Sequence, residues 1–321
     1  MLQRRAILAA LPAALAAPGA MAQGRFPTRP VRVIIPFGPG GGTDNLARLI
    51  EPHVNRRLGQ NLVIETRPGA GGIIGTELVA NAAPDGYTLL LSGNNIAIAQ
   101  ALASAPRYDA SQSFVHVAQI ATLPTGVFVS AQSPFNTFRD LVAFAKANPD
   151  KLTYASGGNG TPSHLAMEML KRTAGIEVRH IPYKGTPPAV TDLIGGQVDM
   201  LVTSIAGPIE QVKAGRLKIL AVSSPERLDQ LPQVATIAET LPGYSFETWL
   251  AISAPRGTPP AVVQKLATET DRALKDPAVV KRMTDAGLRA SYLSPERTTT
   301  RMSGDLRTFS QVIKDANIRA E

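Results

Sequence analysis

The residues of this chain best suited to chemistry lie in glycine-rich loops that join a predicted strand to a predicted helix. The first of them, loop A, reads Pro36-Phe37-Gly38-Pro39-Gly40-Gly41-Gly42-Thr43-Asp44. Glycine lets the backbone approach a ligand closely, and the start of a helix offers unpaired N–H groups and the positive end of the helix dipole. Loop A therefore predicts an anion site, although Thr43 or Asp44 could instead only cap the helix.

Loop C repeats this pattern in the second half of the chain as Tyr154-Ala155-Ser156-Gly157-Gly158-Asn159-Gly160-Thr161-Pro162-Ser163-His164. A predicted strand ends there, small residues and hydroxyls follow, and a predicted helix begins, which again favours an anion. His164 is interpreted as a packing or capping residue of that helix. A further strand end, Pro182-Tyr183-Lys184-Gly185, leads into another helix. We expect Tyr183 to line a cleft and Lys184 to be a solvated charge.

These loops lack the residues that catalysis would need. Loop A has no lysine after Gly42, which a phosphate-binding P-loop requires. Loop B, Gly69-Ala70-Gly71-Gly72-Ile73-Ile74-Gly75, has its last glycine one residue late for the dinucleotide fingerprint, so it is either a binding loop or only a tight turn. Ser156 is not in a nucleophile elbow, because residue 154 is Tyr. The four histidines show no metal-ligand spacing, and the absence of cysteine excludes thiol catalysis and Cys-ligated zinc. The chain is predicted to bind without a catalytic residue, cofactor or metal.

Composition narrows the class of protein. The chain has 321 residues, of which 44% are hydrophobic and 18% charged, and this composition predicts about two soluble globular domains. The net charge of +8 suits anionic ligands. The basic residues are scattered and no aromatic residues interleave with them, so nucleic-acid binding is not expected.

The first 22 residues have the pattern of a cleaved export signal. Arg4 and Arg5 precede an apolar stretch over residues 6–17, and Pro18-Gly19 separates it from the small-x-small site Ala20-Met21-Ala22. The stretch is too short to span a bilayer, which takes about 20 apolar residues. We therefore predict a signal peptide over residues 1–22 and an exported mature chain.

Hydrophobic spacing predicts alternating strands and helices, and hence a parallel sheet with helices on its faces. In the first hundred residues the predicted strands cover 31–36, 62–65 and 87–91, and the helices cover 44–58 and 73–83. A second run has strands at 127–130, 152–155, 178–181, 198–203 and 219–223, with helices at 137–147, 163–173, 189–194 and 207–214. A strand at 247–254 precedes helices at 259–275, 277–286 and 295–316. Two such units predict a bilobal protein whose ligand lies at the carboxyl ends of the strands.

With these segments identified, the mature chain resembles the Bug/TctC family of periplasmic substrate-binding proteins along nearly its whole length. Each motif that carries the resemblance is weak alone, but their order and spacing are specific. The matching segments are Phe37-x-Pro39-Gly40-Gly41-x-x-Asp44, Arg67-Pro68-Gly69-Ala70-Gly71-Gly72, Pro84-Asp85-Gly86-Tyr87-Thr88, Ser156-Gly157-Gly158-x-Gly160-Thr161-x-x-His164-Leu165, Pro182-Tyr183-Lys184-Gly185, Gly195-Gly196-Gln197-Val198-Asp199 and Trp249 with Ala254-Pro255.

The resemblance implies an α/β type II periplasmic-binding-protein fold, with two lobes that close on a ligand and a helical C-terminal tail. Lobe 1 would comprise residues 23–124 plus 249–321, and lobe 2 residues 125–248. The ligand would be a small carboxylate, and the partners would be the membrane permease subunits of a tripartite tricarboxylate transporter. The resemblance further implies a periplasmic location and a protein that is not an enzyme. A monomer is the default expectation for a shuttling carrier.

The resemblance also implies how the ligand is held, mainly by backbone N–H groups, hydroxyls and ordered waters of loops A and C. Carried over residue by residue, the contacts from loop A would come from Phe37, Gly40, Gly41, Thr43 and Asp44. Those from loop C would come from Ser156, Gly157, Gly158, Gly160 and Thr161. Further cleft contacts are expected from Ser92, Asn94, Tyr183 and Ser204.

Two alternatives remain open at this point. A ligand-loaded sensor that presents the same carboxylate to a signalling receptor would have the same sequence features, and a secreted hydrolase is disfavoured by the missing nucleophile motif. The only arginines near loops A and B are Arg48 and Arg67, and loop C has none, which favours a monocarboxylate or a water-bridged dicarboxylate over a tricarboxylate.

Overall fold

A computed structural model of the chain describes residues 26–103, 107–244, 246–315 and 318. The predicted signal peptide, residues 1–22, lies outside the described residues. Within them, strands and helices alternate along most of the chain and form two α/β units. The predicted two-lobed α/β fold with a helical C-terminal tail is confirmed.

The first unit is built on a sheet that has six strands in the described part of the chain. Its N-terminal elements are β1 (Val31–Ile35), α1 (Gly42–Leu58), β2 (Leu62–Thr66), a short 3-10 helix (Ala70–Gly72), α2 (Ile73–Ala80), β3 (Thr88–Gly93), α3 (Asn95–Leu102) and β4 (Phe114–Leu123). Its C-terminal elements are β10 (Thr248–Pro255), α9 (Pro260–Leu274), α10 (Pro277–Asp285), β11 (Arg289–Leu293) and α11 (Pro295–Asp315).

The second unit has a sheet of five strands among the described residues. Its elements are β5 (Thr125–Ser130), α4 (Phe138–Ala147), β6 (Thr153–Ser156), α5 (Pro162–Ala174), β7 (Arg179–Pro182), α6 (Thr186–Ile194), β8 (Met200–Ser204), α7 (Ile209–Lys213), β9 (Leu217–Val222) and α8 (Ile237–Thr240). Pro124 alone separates β4 of the first sheet from β5 of the second. One core cluster contains residues of both units, among them Leu90, Trp249, Val127 and Tyr154.

Both sheets are mixed, which corrects the prediction of a parallel sheet. The strand orders are β11-β4-β10-β3-β1-β2 and β7-β6-β8-β5-β9. Strands β2, β1 and β3 are parallel, as are β7, β6 and β8, whereas β10 pairs antiparallel with β3 and β5 pairs antiparallel with β8. The antiparallel partners come from distant parts of the chain, so strand–helix alternation along the sequence does not reveal them.

The prediction missed four elements, α3, β4, α8 and β11. Strand β4 carries His116, Gln119 and Thr122, which are fully buried. Each finds a partner inside the protein: His116 Nδ1 lies 2.9 Å from Ser253 Oγ, Gln119 Nε2 donates to Ser291 Oγ at 2.8 Å, and Thr122 Oγ1 accepts from an arginine side chain. Their polarity interrupts the apolar pattern that identifies a buried strand.

Candidate functional site

Loop A follows the carboxyl end of β1 and leads into α1. The N-cap of α1 is Gly41, which has no side chain that could accept a hydrogen bond from the first turn. As a result, the N–H groups of Gly42 and Thr43 have no acceptor among the described residues. Gly40 has a φ of 78°, a left-handed conformation that favours glycine. Loop A therefore presents free N–H groups at the positive end of a 17-residue helix.

Asp44 holds loop A in shape. Its Oδ2 accepts a hydrogen bond from the Gly40 N–H at 3.0 Å and another from Nε of Arg48 at 3.1 Å. The side chain is almost fully buried, and it is not among the residues that line the cavities described below. The predicted contact of Asp44 with ligand stays a prediction, and the structure gives this carboxylate a role in fixing the loop.

Loop C follows the carboxyl end of β6 and leads into α5, but most of its N–H groups already have partners. The Gly157 N–H donates to Ser163 Oγ at 3.1 Å, and the Gly158 N–H donates to Ser156 Oγ at 3.1 Å. The Gly160 N–H donates to Nδ1 of His164 at 3.3 Å. Three side chains of the loop and of the first turn of α5 thus use the N–H groups that the sequence assigned to a ligand.

A stack of three rings lies behind loop C. The ring of His180 lies 4.6 Å from that of Tyr154 and 4.4 Å from that of His164. Its Nε2 lies 2.7 Å from Ser156 Oγ. Burial, and next the nearby His164, lower the pKa of His180 to about 3. A neutral His180 therefore supports Ser156, which in turn holds Gly158.

An inner pocket of about 90 Å³ lies between the N-termini of α1 and α5. None of the described residues that line it carries a charged side chain, and hydroxyl groups are frequent. The lining residues are Phe37, Gly38, Gly41, Gly42, Thr43, Asn95, Leu123, Thr125, Gly157, Thr161, Pro162, Ser163, Gly185, Thr186, Thr203, Ser204, Thr248 and Leu250. The pocket is small enough to fit one carboxylate-sized group, and its donors are neutral.

The structure fixes the orientation of Asn95, a polar residue of this pocket. Its Oδ1 accepts from the Gly93 N–H at 3.0 Å and lies 2.5 Å from Ser92 Oγ. A backbone N–H can only donate, so the atom that faces Gly93 must be the oxygen. The Asn95 Nδ2 is buried and has no hydrogen-bond partner among the described residues, and the same holds for Ser204 Oγ. An unpaired buried donor is costly, so both groups need an acceptor when the cleft is closed.

An outer cavity of about 560 Å³ adjoins the inner pocket. Its lining is mostly glycine and apolar. The lining residues are Pro36, Phe37, Gly38, Pro68, Gly69, Ala70, Gly71, Gly72, Ile73, Ala99, Leu102, Ala103, Gly157, Gly158, Asn159, Gly160, Thr161, Pro182, Tyr183, Lys184 and Gly185. A volume of this size lies within the usual range for small-molecule sites, about 300–1,000 Å³.

Loop B, which the sequence left between a binding role and a tight turn, is tightly packed and also lines a cavity, and its binding role stays a prediction. Gly69, Gly71 and Gly72 line the outer cavity. A Cβ on Gly71 would lie 2.8 Å from the carbonyl oxygen of Asn159, so loop B of the first unit contacts loop C of the second. A Cβ on Gly75 would lie 2.7 Å from the carbonyl oxygen of Arg67, which leaves no room for a side chain there.

The structure brings most of the predicted site residues to these two cavities. Those that line one or both are Phe37, Gly41, Thr43, Gly157, Gly158, Gly160, Thr161, Tyr183 and Ser204. Those that line neither are Gly40, Asp44, Ser92, Asn94 and Ser156.

Asn94 and Ser92 point elsewhere. Asn94 Nδ2 donates to the carbonyl oxygen of Glu247 at 2.9 Å, and Ser92 Oγ bonds to Asn95. The structure places Asn95 and not Asn94 on the lining of the inner pocket. The predicted ligand contact of Asn94 stays a prediction, and sequence reasoning could not tell from spacing which amide of the pair faces the cleft. It also missed the hydroxyls of Thr125, Thr186 and Thr203, for which the sequence carries no separate signal.

The fold and the cavities together define a class, the two-lobed substrate-binding protein with its ligand site between two α/β units. Among the residues that the structure describes, no group of three or more His, Asp or Glu side chains could hold a metal ion. In the same residues, no helix combines the length and the apolarity needed to cross a membrane.

Comparisons with known proteins identify the family. The chain matches the model of the tripartite tricarboxylate transporter family receptor, TctC, over residues 46–318. It is 37% identical to the UPF0065 protein in the tcbD-tcbE intergenic region of Pseudomonas sp. (strain P51), over 99% of this chain and 96% of that protein. The solved structure of the periplasmic binding protein BugD has a TM-score of 0.87 and 34% identity, covering 92% of this chain and 99% of that one. The structure of R. palustris Rpa4515 with adipate has a TM-score of 0.88 and 32% identity, with coverages of 92% and 99%.

The chain therefore belongs to the TctC family of tripartite tricarboxylate transporter receptors. Proteins of this family are periplasmic substrate-binding proteins and not enzymes, which confirms the prediction of binding without catalysis.

Proposed function

We propose that the protein captures a small carboxylate between its two lobes and delivers it to the permease of a tripartite transporter. In this proposal lobe 1 comprises residues 23–124 plus 249–321, lobe 2 comprises residues 125–248, and residues 1–22 direct export to the periplasm. The protein acts as a monomeric carrier. The family membership and the adipate in the structure of Rpa4515 support the class of ligand.

One observation carries the proposal: the inner pocket offers donors that have no partner and no acidic side chain among its described lining residues. The donors are the N–H groups of Gly42 and Thr43, the amide Nδ2 of Asn95 and the hydroxyl of Ser204. A carboxylate would accept from all of these groups, whereas a cation would find no counter-charge.

The number of donors is sufficient for useful affinity. Each hydrogen bond to a charged group contributes about 1.5–3 kcal/mol net, and a micromolar site needs about 8 kcal/mol. Four to six such bonds suffice even after the cost of ordering the loops. The four donors named above reach this range, and the Thr43 hydroxyl and ordered waters would add to it.

The test is a binding screen of the mature chain against organic acids, read by thermal shift and calorimetry, with Asn95→Asp as the variant. An acid present at 100 times its dissociation constant should stabilise the fold by about 2.7 kcal/mol. Asn95→Asp keeps an oxygen facing Gly93 but replaces the donor that faces the pocket with a negative charge. We expect it to weaken binding by at least about 30-fold.

Asn81→Asp is the matched control, because Asn81 is exposed, lines neither cavity, and undergoes the same change in charge. It should bind the acid as the unaltered chain does. A screen in which no organic acid stabilises the protein would contradict carboxylate capture, and so would full affinity in Asn95→Asp. Delivery is tested by uptake of the identified acid. Deletion of this protein should abolish uptake, and the unaltered chain should restore it, whereas Asn95→Asp should not.

A further inference from the structure

The chain crosses between the two units beside the inner pocket. It passes from the first unit to the second at Pro124 and returns just before Thr248. Leu123, Thr125 and Thr248 line the inner pocket, and none of these three lines the outer cavity. The outer cavity lies instead between loop B and the end of α3 on one side and loop C on the other. When two lobes rotate about their crossovers, the parts farthest from the crossovers move most. Opening of the cleft therefore separates loop B from loop C.

Loop B and α3 meet loop C through close packing. A Cβ on Gly71 would lie 2.8 Å from the carbonyl oxygen of Asn159 and 3.4 Å from Gly160 Cα. The Leu102 side chain, at the end of α3, lies on the same seam, with Cδ1 3.5 Å from a Cβ placed on Gly160. Among the described residues, no hydrogen bond or ion pair joins Gly71 or Leu102 to Asn159 or Gly160. This contact can therefore part and re-form without the loss of a hydrogen bond.

Near the first crossover, in contrast, a hydrogen bond joins the two units. Asn45 Nδ2 of α1 donates to the carbonyl oxygen of Ala206 at 3.2 Å. Ala206 lies next to the crossover, because the N–H of the preceding residue, Ile205, donates to the carbonyl oxygen of Pro124 at 2.9 Å. The interface between the units thus has a hydrogen-bonded side at the crossover and a side, at the Gly71 seam, that is held by packing.

We propose that this seam is the gate of the cleft and that the bare backbone of Gly71 allows it to shut. The proposal rests on the proposed function, since it describes how the carboxylate site opens and closes. A side chain at position 71 would meet the carbonyl oxygen of Asn159, a backbone atom that cannot turn away as a flexible side chain can. Opening the cleft relieves this clash, so the substitution shifts the equilibrium toward the open form. Gly71 thereby sets how closely the two lobes approach.

Three glycines with nearly the same backbone conformation provide a graded test. The φ angles of Gly59, Gly71 and Gly160 are 70°, 64° and 70°, so a change to alanine imposes a similar backbone strain at each position. The contact that the new Cβ makes is what differs. It meets nothing within 4 Å at Gly59, a side-chain carbon at 3.5 Å at Gly160, and a backbone oxygen at 2.8 Å at Gly71.

A cysteine at position 99 reports opening of the gate. Ala99 of α3 lines the outer cavity and is only 2% exposed, and the chain has no cysteine of its own, so Ala99→Cys introduces a single buried thiol. The rate at which this thiol reacts with dithionitrobenzoate measures opening in the ligand-free mature chain. In this background we expect Gly71→Ala to raise the rate at least about fivefold, and Gly160→Ala and Gly59→Ala to change it less than about twofold.

Equal rates in Gly71→Ala and Gly59→Ala would overturn the inference. A melting temperature of Gly71→Ala well below that of Gly59→Ala would also overturn it, because the clash would then act on the fold and not on closure. Gly71→Asn and Gly59→Asn repeat the comparison with a residue that accepts the left-handed conformation, so the result does not depend on how alanine is tolerated. Labelling uses the ligand-free chain, so equal rates would leave carboxylate capture intact, whereas a screen in which no acid binds would contradict the proposed function.

Discussion

Loops A and C have the same sequence pattern: a strand end, several glycines and a helix start. However, loop A leaves N–H groups free, whereas loop C pairs most of its N–H groups with its own side chains. In loop A the N-cap is Gly41, and the N–H groups of Gly42 and Thr43 stay free. In loop C the N-cap is Thr161, whose hydroxyl accepts from the first turn of α5. Ser163 adds a second acceptor that takes the Gly157 N–H.

The difference shows that glycine content alone does not make an anion site. Glycine allows the backbone to approach a ligand, but a hydroxyl or imidazole nearby can use the same N–H groups first. Loop A lacks such a side chain at the N-cap and so offers donors. Loop C has Thr161 at the N-cap and further acceptors at Ser156, Ser163 and His164, and it lies opposite loop A.

The largest expected effect comes from adding one methyl group to each loop, which should weaken binding in loop A and not in loop C. A Cβ on Gly42 would lie 2.9 Å from Leu123 Cδ2 and 3.0 Å from Ser204 Oγ, in the inner pocket. A Cβ on Gly157 would meet only Ser163 Oγ, at 3.6 Å. We expect Gly42→Ala to weaken carboxylate binding at least about 30-fold, about 2 kcal/mol, and Gly157→Ala less than about threefold.

Calorimetry on both variants measures this difference, with thermal unfolding to show that both are folded. Neither glycine has a positive φ, so neither substitution strains the backbone. Equal losses in the two variants would mean that loop C supplies as many ligand contacts as loop A, and the contrast between the loops would be wrong.

The sequence predicted the positions of the loops well, because each lies between a short apolar run and a helical pattern. Strand β1 ends at Ile35 and α1 begins at Gly42, close to the predicted boundaries. The same local pattern could not reveal β4 or the antiparallel partner β10, since their pairing depends on contacts far apart in the chain. It also could not tell Asn94 from Asn95, because the turn after β3 sets which amide faces the pocket.

The second prediction compares one hydroxyl of each loop by two measurements, stability and affinity, which should change in opposite variants. Ser163→Ala removes the acceptor of the Gly157 N–H, which is partly buried, and should lower the free energy of unfolding by about 1–2 kcal/mol with affinity nearly unchanged. Thr43→Val removes a hydroxyl that has no hydrogen-bond partner among the described residues, so stability should change little. Its affinity for the carboxylate should fall about tenfold.

Chemical denaturation and calorimetry on the two variants give both quantities. A stable Ser163→Ala with weakened binding would show that the Ser163 hydroxyl contacts the ligand and not the loop. An unstable Thr43→Val with full affinity would assign loop A the structural role and reverse the comparison.

The smallest expected effect is a loss of folding stability at acid pH, which His180 behind loop C should cause. The pKa of His180 is lowered to about 3 by burial first and by His164 next, whereas an unfolded histidine titrates near pH 6.5. Between these values the unfolded chain binds more protons than the folded chain, so stability falls as the pH falls from about 6.5 toward 3. His180 is partly exposed, and we expect its share to be below about 1 kcal/mol per pH unit.

His116 provides the contrast in the first unit. Burial lowers the pKa of His116 to about 4, and its side chain is only 1% exposed, so its share approaches about 1.4 kcal/mol per pH unit. Denaturation between pH 7 and pH 5 should show a shallower loss of stability in His180→Gln than in the unaltered chain, and a shallower one still in His116→Gln. An unchanged slope in His180→Gln would mean that the imidazole behind loop C titrates alike in the folded and unfolded chain.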